Sequence, residues 1–306
     1  LAEASEFVER LCPHCGAGAR ARPEIASGTP AETIAFDSLK PFWNGFFKEK
    51  VFFTYLRCPT CGLLFNRQFF SPSQLDELYA QMPPNMDLVP VSALRKTQRG
   101  YFEFLKSRSP LQGGYLEFGP DVGYFLENCV SEGGFERYWL VEPNRAVAPA
   151  LEAAVGQAPH AIAHDMTGLD QVPAGSVGAA VMVHVLDHLL DPLQTLRDIR
   201  SKLAPGGAIL VVTHDESSAL RRAFSRRWPP FCLQHPQLFR PSTLTTVLQS
   251  AGFTDVSVRR SVNYFPVAFL LKQFLWAIGI RAASVPDLGG VVIGLRLGNI
   301  MAVAAA

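Results

Sequence analysis

Two short units, Cys12-Pro13-His14-Cys15-Gly16 and Cys58-Pro59-Thr60-Cys61-Gly62, hold four of the six cysteines in this 306-residue chain. A Cys-x-x-Cys turn offers two sulfur ligands from one tight loop, and two such turns complete a tetrahedral zinc site. The glycine after each second cysteine lets the backbone fold back so that its amides point at sulfur. Cys12, Cys15, Cys58 and Cys61 are therefore the expected metal ligands, with His14 a bystander. An ion whose four positions are filled by protein is structural rather than catalytic. Free or redox-active thiols are the alternative, and they fit less well because thioredoxin-like chemistry uses a single Cys-x-x-Cys beside a βαβ unit. Cys129 and Cys232 read as ordinary buried residues.

The second candidate centre is a glycine turn. Tyr115-Leu116-Glu117-Phe118-Gly119-Pro120-Asp121-Val122-Gly123 reads as a strand, a turn and the start of a helix near Val122. Glycines there permit positive φ and close approach of a ligand. Amides at a helix start favour an anionic group such as a carboxylate. About 20 residues further on, a second strand ends in Val141-Glu142-Pro143-Asn144, and an acid at that place can accept bonds from both hydroxyls of a ribose.

These residues need a scaffold, and the apolar pattern supplies one. Short apolar runs at 114–118, 137–142, 159–163, 177–183, 207–213, 253–259 and 297–304 alternate with amphipathic stretches beginning near Val122, Asn144, Asp191 and Ser242. Such alternation predicts an α/β fold, a mainly parallel sheet with helices on both faces. Upstream, Ser71-Pro72 and the run from Val91 to Lys106 predict two helices. The chain thus divides into a zinc-binding module (1–70), a helical linker or lid (71–110) and a sheet domain (111–306) with an insertion at 214–240.

Composition narrows the partners. With 48% hydrophobic and 18% charged residues, a sizeable core can be buried. A net charge of +1 counts against a nucleic-acid partner. The opening LAEASEFVER carries none of the marks of a signal peptide, so a reducing cytoplasm is the expected location. The apolar stretch from Val262 to Ile280 is interrupted by Asn263, Pro266, Lys272 and Gln273, short of a membrane span. It is read as a core or acceptor-side helix, with peripheral membrane contact as the alternative.

Taken in order, these segments resemble class I S-adenosylmethionine (AdoMet)-dependent methyltransferases, over roughly Gly114 to Ala306. LEFGPDVGYFL is similar to motif I, WLVEPN to the ribose-binding strand end, and AHDMTGLD to the segment whose acid, here Asp165, meets the adenine amino group. VMVHVLDHLLDP and SKLAPGGAILVVTHD resemble the fourth strand and the L-x-P-G-G turn into the fifth. The resemblance implies a Rossmann-like seven-stranded sheet beside a zinc-ribbon-like module. It also implies AdoMet contacts from Glu117, Gly119, Pro120, Asp121, Gly123, Glu142, Pro143, Asp165 and Met166. Many members carry glycine at the place of Asp121. NAD, which uses a similar turn, fits the later segments less well. His184 and His188, four apart, read as one helical face packing around the adenosine end.

The insertion resembles a stretch of methyltransferases with an N-terminal zinc-binding module, including deoxysugar C-methyltransferases. There a Glu-His pair supplies a base. His235 matches the histidine, with Gln234 in place of the glutamate. Arg221, Arg222, Arg226, Arg227 and Arg240 cluster nearby and could clamp phosphate, or form a solvated basic surface. The resemblance implies a small-molecule acceptor, a phosphorylated sugar or a glycan or natural-product intermediate. The chain does not show the extra C-terminal domain of the sugar enzymes, so O-methylation is expected as readily as C-methylation. RNA methylation and a non-catalytic AdoMet-fold scaffold are the competing readings.

Overall fold

The computed structural model describes residues 6–17, 21–43, 50–80, 89–277 and 290–306. Its centre is a seven-stranded sheet. We number its strands β1 (Gln112–Phe118), β2 (Gly134–Val141), β3 (His160–Ala163), β4 (Val177–Val183), β5 (Leu203–His214), β6 (Thr254–Arg260) and β7 (Asn299–Ala305). Their spatial order is β6-β7-β5-β4-β1-β2-β3. The pairs β5–β4, β4–β1, β1–β2 and β2–β3 are parallel, and β7 runs antiparallel to both β5 and β6.

The sheet is covered on both faces, so its central strands are apolar on alternate residues in both phases. Leu116, Phe118, Trp139, Val141, Ala180, Met182, Ile209 and Val211 form one core with the helices Pro192–Lys202 and Pro241–Ser250. Tyr115, Tyr138, Leu140, Ala179, Val181, Leu210 and Val212 form the other, against Val91–Lys106, Leu126–Glu132 and Ala148–Val155. All seven anticipated strands are present. Two helices begin later than expected. The first starts at Leu126 rather than Val122, and at Asn144 a 3-10 turn over Arg145–Val147 precedes the helix.

The N-terminal residues do not stand apart from this domain. Strands Arg22–Ile25, Tyr55–Arg57 and Leu64–Asn66 form a small antiparallel sheet that is completed by Gln237–Leu238 from the insertion. Trp228 and Phe231 of the insertion pack with Phe52, Tyr55, Leu64 and Leu238 in one buried cluster. The stretch 262–280 also differs from a single helix. Asn263–Pro266 is a strand paired with Val292–Leu295, the helix is Val267–Ala277, and residues 278–280 lie outside the described residues. Among the described residues no helix is long and apolar enough to cross a membrane.

Candidate functional site

The C-terminal ends of β1, β2, β4 and β5 meet along one edge of the sheet, where ligands of open α/β folds bind. After β1 the chain turns through Gly119 (φ 63°), Asp121 (φ 51°) and Gly123 (φ 85°). Only glycine fits at 119, because a Cβ there would lie 2.6 Å from Val185 Cγ2. Asp121 occupies the left-handed region that favours glycine, a physical reason for the glycine many family members carry at that place.

Glu142, at the end of β2, is buried and holds this turn from the side. Its Oε2 accepts the Asp121 N–H at 2.9 Å and its Oε1 accepts the Asn144 N–H at 2.9 Å. Burial raises its pKa, and the two amides offset only part of that rise. Glu117 lies deeper, bonded to the Tyr115 hydroxyl at 2.6 Å, and burial lifts it to about 8. Asp165 is exposed and caps the 3-10 turn that follows it, accepting from the Thr167 N–H at 2.9 Å and from the Thr167 hydroxyl. Met166 beside it is 44% exposed, an apolar surface free for a flat ring.

Residues after β4 depart from the expected helix. His184 has φ 54° and the chain closes a single turn from Val185 to His188, where the His188 N–H meets the Val185 carbonyl at 2.9 Å. The two imidazoles are not stacked on one helical face. His184 lies against His214, ring centroids 4.6 Å apart, and His188 against His235, also 4.6 Å. His214 and His235 are 5.0 Å apart, so four imidazoles form one cluster. Fully buried Asp187 sits among them, its Oδ2 at 4.0 Å from His214 Nε2. Gln237 and Arg10 hold this loop by donating to the Leu186, Leu189 and Leu190 carbonyls.

Charge in the cluster is unevenly distributed. Burial lowers the pKa of His184 and His214 and, with His235, pushes His188 down to about 3. Burial also opposes charge on His235, but Cys232, Asp187 and the Pro230 carbonyl outweigh it and lift His235 to about 9. His235 Nδ1 donates to the Pro230 carbonyl at 2.7 Å. Asp187, His214 and Asn299 were not singled out from the sequence. His214 and Asn299 stand at facing ends of β5 and β7, whose pairing only the fold reveals.

Two of the five arginines, Arg221 and Arg240, meet one network of Glu24, Arg57 and Glu216. Arg221 pairs with Glu24 at 2.8 Å, and Arg240 reaches Glu216 at 3.4 Å and the Gly62 carbonyl at 2.9 Å. Arg57 bridges the same two glutamates, at 2.7 Å and 2.5 Å. Arg222, Arg226 and Arg227 lie on the exposed surface.

At the N-terminus the four cysteines come together, with Cys12–Cys61 and Cys15–Cys58 sulfurs each 3.5 Å apart. The two loops are copies of one another. Gly16 N–H bonds the Cys12 carbonyl and Gly62 N–H the Cys58 carbonyl, each at 2.9 Å, with φ 68° and 75°. Amides of Cys15 and His14 face the Cys12 sulfur, and those of Cys61 and Thr60 the Cys58 sulfur. Paired sulfurs with amides aimed at them suit a thiolate-bound cation.

Residues 93–258 match the family model described as "Methyltransferase domain", more than half of the chain, and the chain belongs to that family. It is a class I AdoMet-dependent methyltransferase. Among solved structures it is similar to the N-methyltransferase NodS from Bradyrhizobium japonicum in complex with S-adenosyl-L-homocysteine, at 16% identity over 76% of this chain and 96% of that one, TM-score 0.49. It is also similar to a SAM-dependent methyltransferase from Archaeoglobus fulgidus, at 18% identity over 69% and 94%, TM-score 0.48. A third is phosphoethanolamine N-methyltransferase 2 from Haemonchus contortus, at 16% identity over 68% and 52%, TM-score 0.43. No curated protein matches the chain.

Proposed function

We propose that the chain methylates a small polyhydroxylated acceptor, a sugar, nucleotide-sugar or related glycan or natural-product intermediate, at oxygen or carbon. The observation that carries this reading is Val185, which touches the Gly119 turn on one side and leads into the Asp187–His188 loop on the other. A polar, imidazole-rich cluster thus adjoins the cofactor turn. Imidazoles and a carboxylate offer both donors and acceptors, which suits hydroxyl groups better than an apolar acceptor.

AdoMet supplies an electrophilic methyl group when bound. Gly119, Pro120, Asp121 and Gly123 would hold its amino-acid end together with Glu117, Glu142 and Pro143 its ribose, and Asp165 and Met166 its adenine. His184 and His188, read from the sequence as packing around the adenosine end, would instead face the acceptor, a reading supported by their ring contacts with His214 and His235. His235 would serve as the base that takes the proton the acceptor loses as it receives the methyl group, a role common to O- and C-methylation. Exposed Arg222 and Arg226 would be the arginines to meet a phosphate, while Arg221 and Arg240 tie the insertion to the N-terminal sheet. Zinc held by Cys12, Cys15, Cys58 and Cys61 would fix that sheet, and through it the insertion.

The test is a screen of phosphorylated sugars with AdoMet, read by mass spectrometry as a gain of one methyl group. The reading requires a methylated sugar product and a His235→Gln variant whose kcat falls roughly 100-fold with AdoMet affinity retained. Turnover of the variant at the wild-type rate would remove His235 from the reaction.

A further inference from the structure

The Asp187 carboxylate is 0% exposed, yet among the described residues its Oδ1 has no hydrogen-bond partner, and its Oδ2 meets only the His214 N–H at 3.5 Å. Hydrogen bonds thus do little to offset the burial of this carboxylate, whereas a metal ion bonded directly to it would do so. His184 Nδ1, also buried, is likewise without a partner. Asn299 defines the third group. Its Oδ1 accepts the His214 Nδ1–H at 2.9 Å, which leaves the lone pair of His214 on Nε2, facing the Asp187 carboxylate. Two acceptors facing each other at 4.0 Å call for a positive group between them.

We propose that His184, Asp187 and His214 bind a divalent transition-metal ion, distinct from the cysteine-bound zinc. One donor atom from each lies within 4.8 Å of the others. Bonds of about 2.0–2.1 Å in a tetrahedron require edges of about 3.3 Å, so side-chain rotations of roughly an ångström close the site. Two imidazoles and one carboxylate suit zinc, iron(II) or cobalt(II), and leave at least one position open. Asn299 is the orienting partner of His214, of the kind that metal-bound imidazoles usually have. Ligation through His184 Nδ1 puts its proton on Nε2, which now faces Asn299 Nδ2 at 3.3 Å. That weak contact opens on metal binding, while the bond to His214 persists.

This inference does not depend on which acceptor is methylated, and it is tested without turnover. The full chain is equilibrated with excess Zn²⁺, desalted and analysed for metal. Two zinc ions per wild-type chain are expected, one lost in Asp187→Asn and in His214→Gln, the other in Cys58→Ser. Because Asn299→Asp can accept from both imidazoles, it should retain the second ion, whereas Asn299→Ala should weaken it about 10–100-fold. Zinc content unchanged by both Asp187→Asn and His214→Gln, with circular dichroism showing both folded, would overturn the proposal. If the cysteine reading alone fails, wild type still holds one ion that Asp187→Asn removes.

Discussion

The Oε2 of Glu142 accepts the backbone N–H of Asp121 at 2.9 Å, which ties the end of β2 to the left-handed turn after β1. The residue expected to read the ribose therefore also shapes the turn expected to receive the methionine end. Asp121 pays for its conformation with roughly 1 kcal/mol of backbone strain. Asp121→Gly should relieve it and raise the melting temperature slightly, with AdoMet affinity equal or tighter. A loss of affinity would show that the Asp121 carboxylate itself contacts the cofactor.

Glu117 gives a pH signature. Its pKa is raised to about 8 in the folded chain, against about 4.3 for an unperturbed glutamate. The folded state thus retains a proton that the unfolded state releases. The stabilisation is complete below about pH 4 and is lost as pH rises through 8. Glu117→Gln stays neutral, so its stability relative to wild type should climb between pH 5 and 8, by up to about 1.4 kcal/mol per unit. Melting curves with a pH-independent difference would contradict this.

The N-terminal metal should be felt far along the chain. Leu64 and Phe65 pair with Leu238 and Gln237, so loosening the cysteine loops loosens the insertion. Cys58→Ser should lose hydrogen-exchange protection at residues 55–57, 64–66 and 237–238 while β1 and β4 remain protected. Protection retained throughout would mean that packing around Trp228 suffices without metal.

Arg57 joins Glu24 and Glu216, and the Glu216 side chain is only 3% exposed. Removing the arginine leaves a buried carboxylate short of its main counter-charge. Arg57→Ala should cost about 3 kcal/mol in denaturant unfolding, and Arg57→Ala/Glu216→Gln should recover much of it. Equal losses in the single and double variants would deny the coupling.

The sheet was readable because its strands are buried on both faces and separated by helices, leaving apolar runs such as VGAAVMV that few other structures explain. The cysteine loops and the Gly119 turn were readable because their geometry demands specific residues at short spacing. What escaped depends on contacts between distant segments. Glu24 and Arg221 lie almost 200 residues apart, and the pairing of 237–238 with 64–65 has no local signature. His184 and His188 have helical spacing, but the chain must reverse at the end of β4, and His184 does so with positive φ.

The most direct test is calorimetric titration of the full chain with AdoMet, wild type beside Glu142→Ala. Two charge-assisted bonds to a ribose, at about 1.5 kcal/mol each, predict micromolar binding by wild type and an affinity about 100-fold lower in the variant. Equal affinity in a folded Glu142→Ala protein, or no binding by wild type, would contradict the placement of the cofactor at this turn.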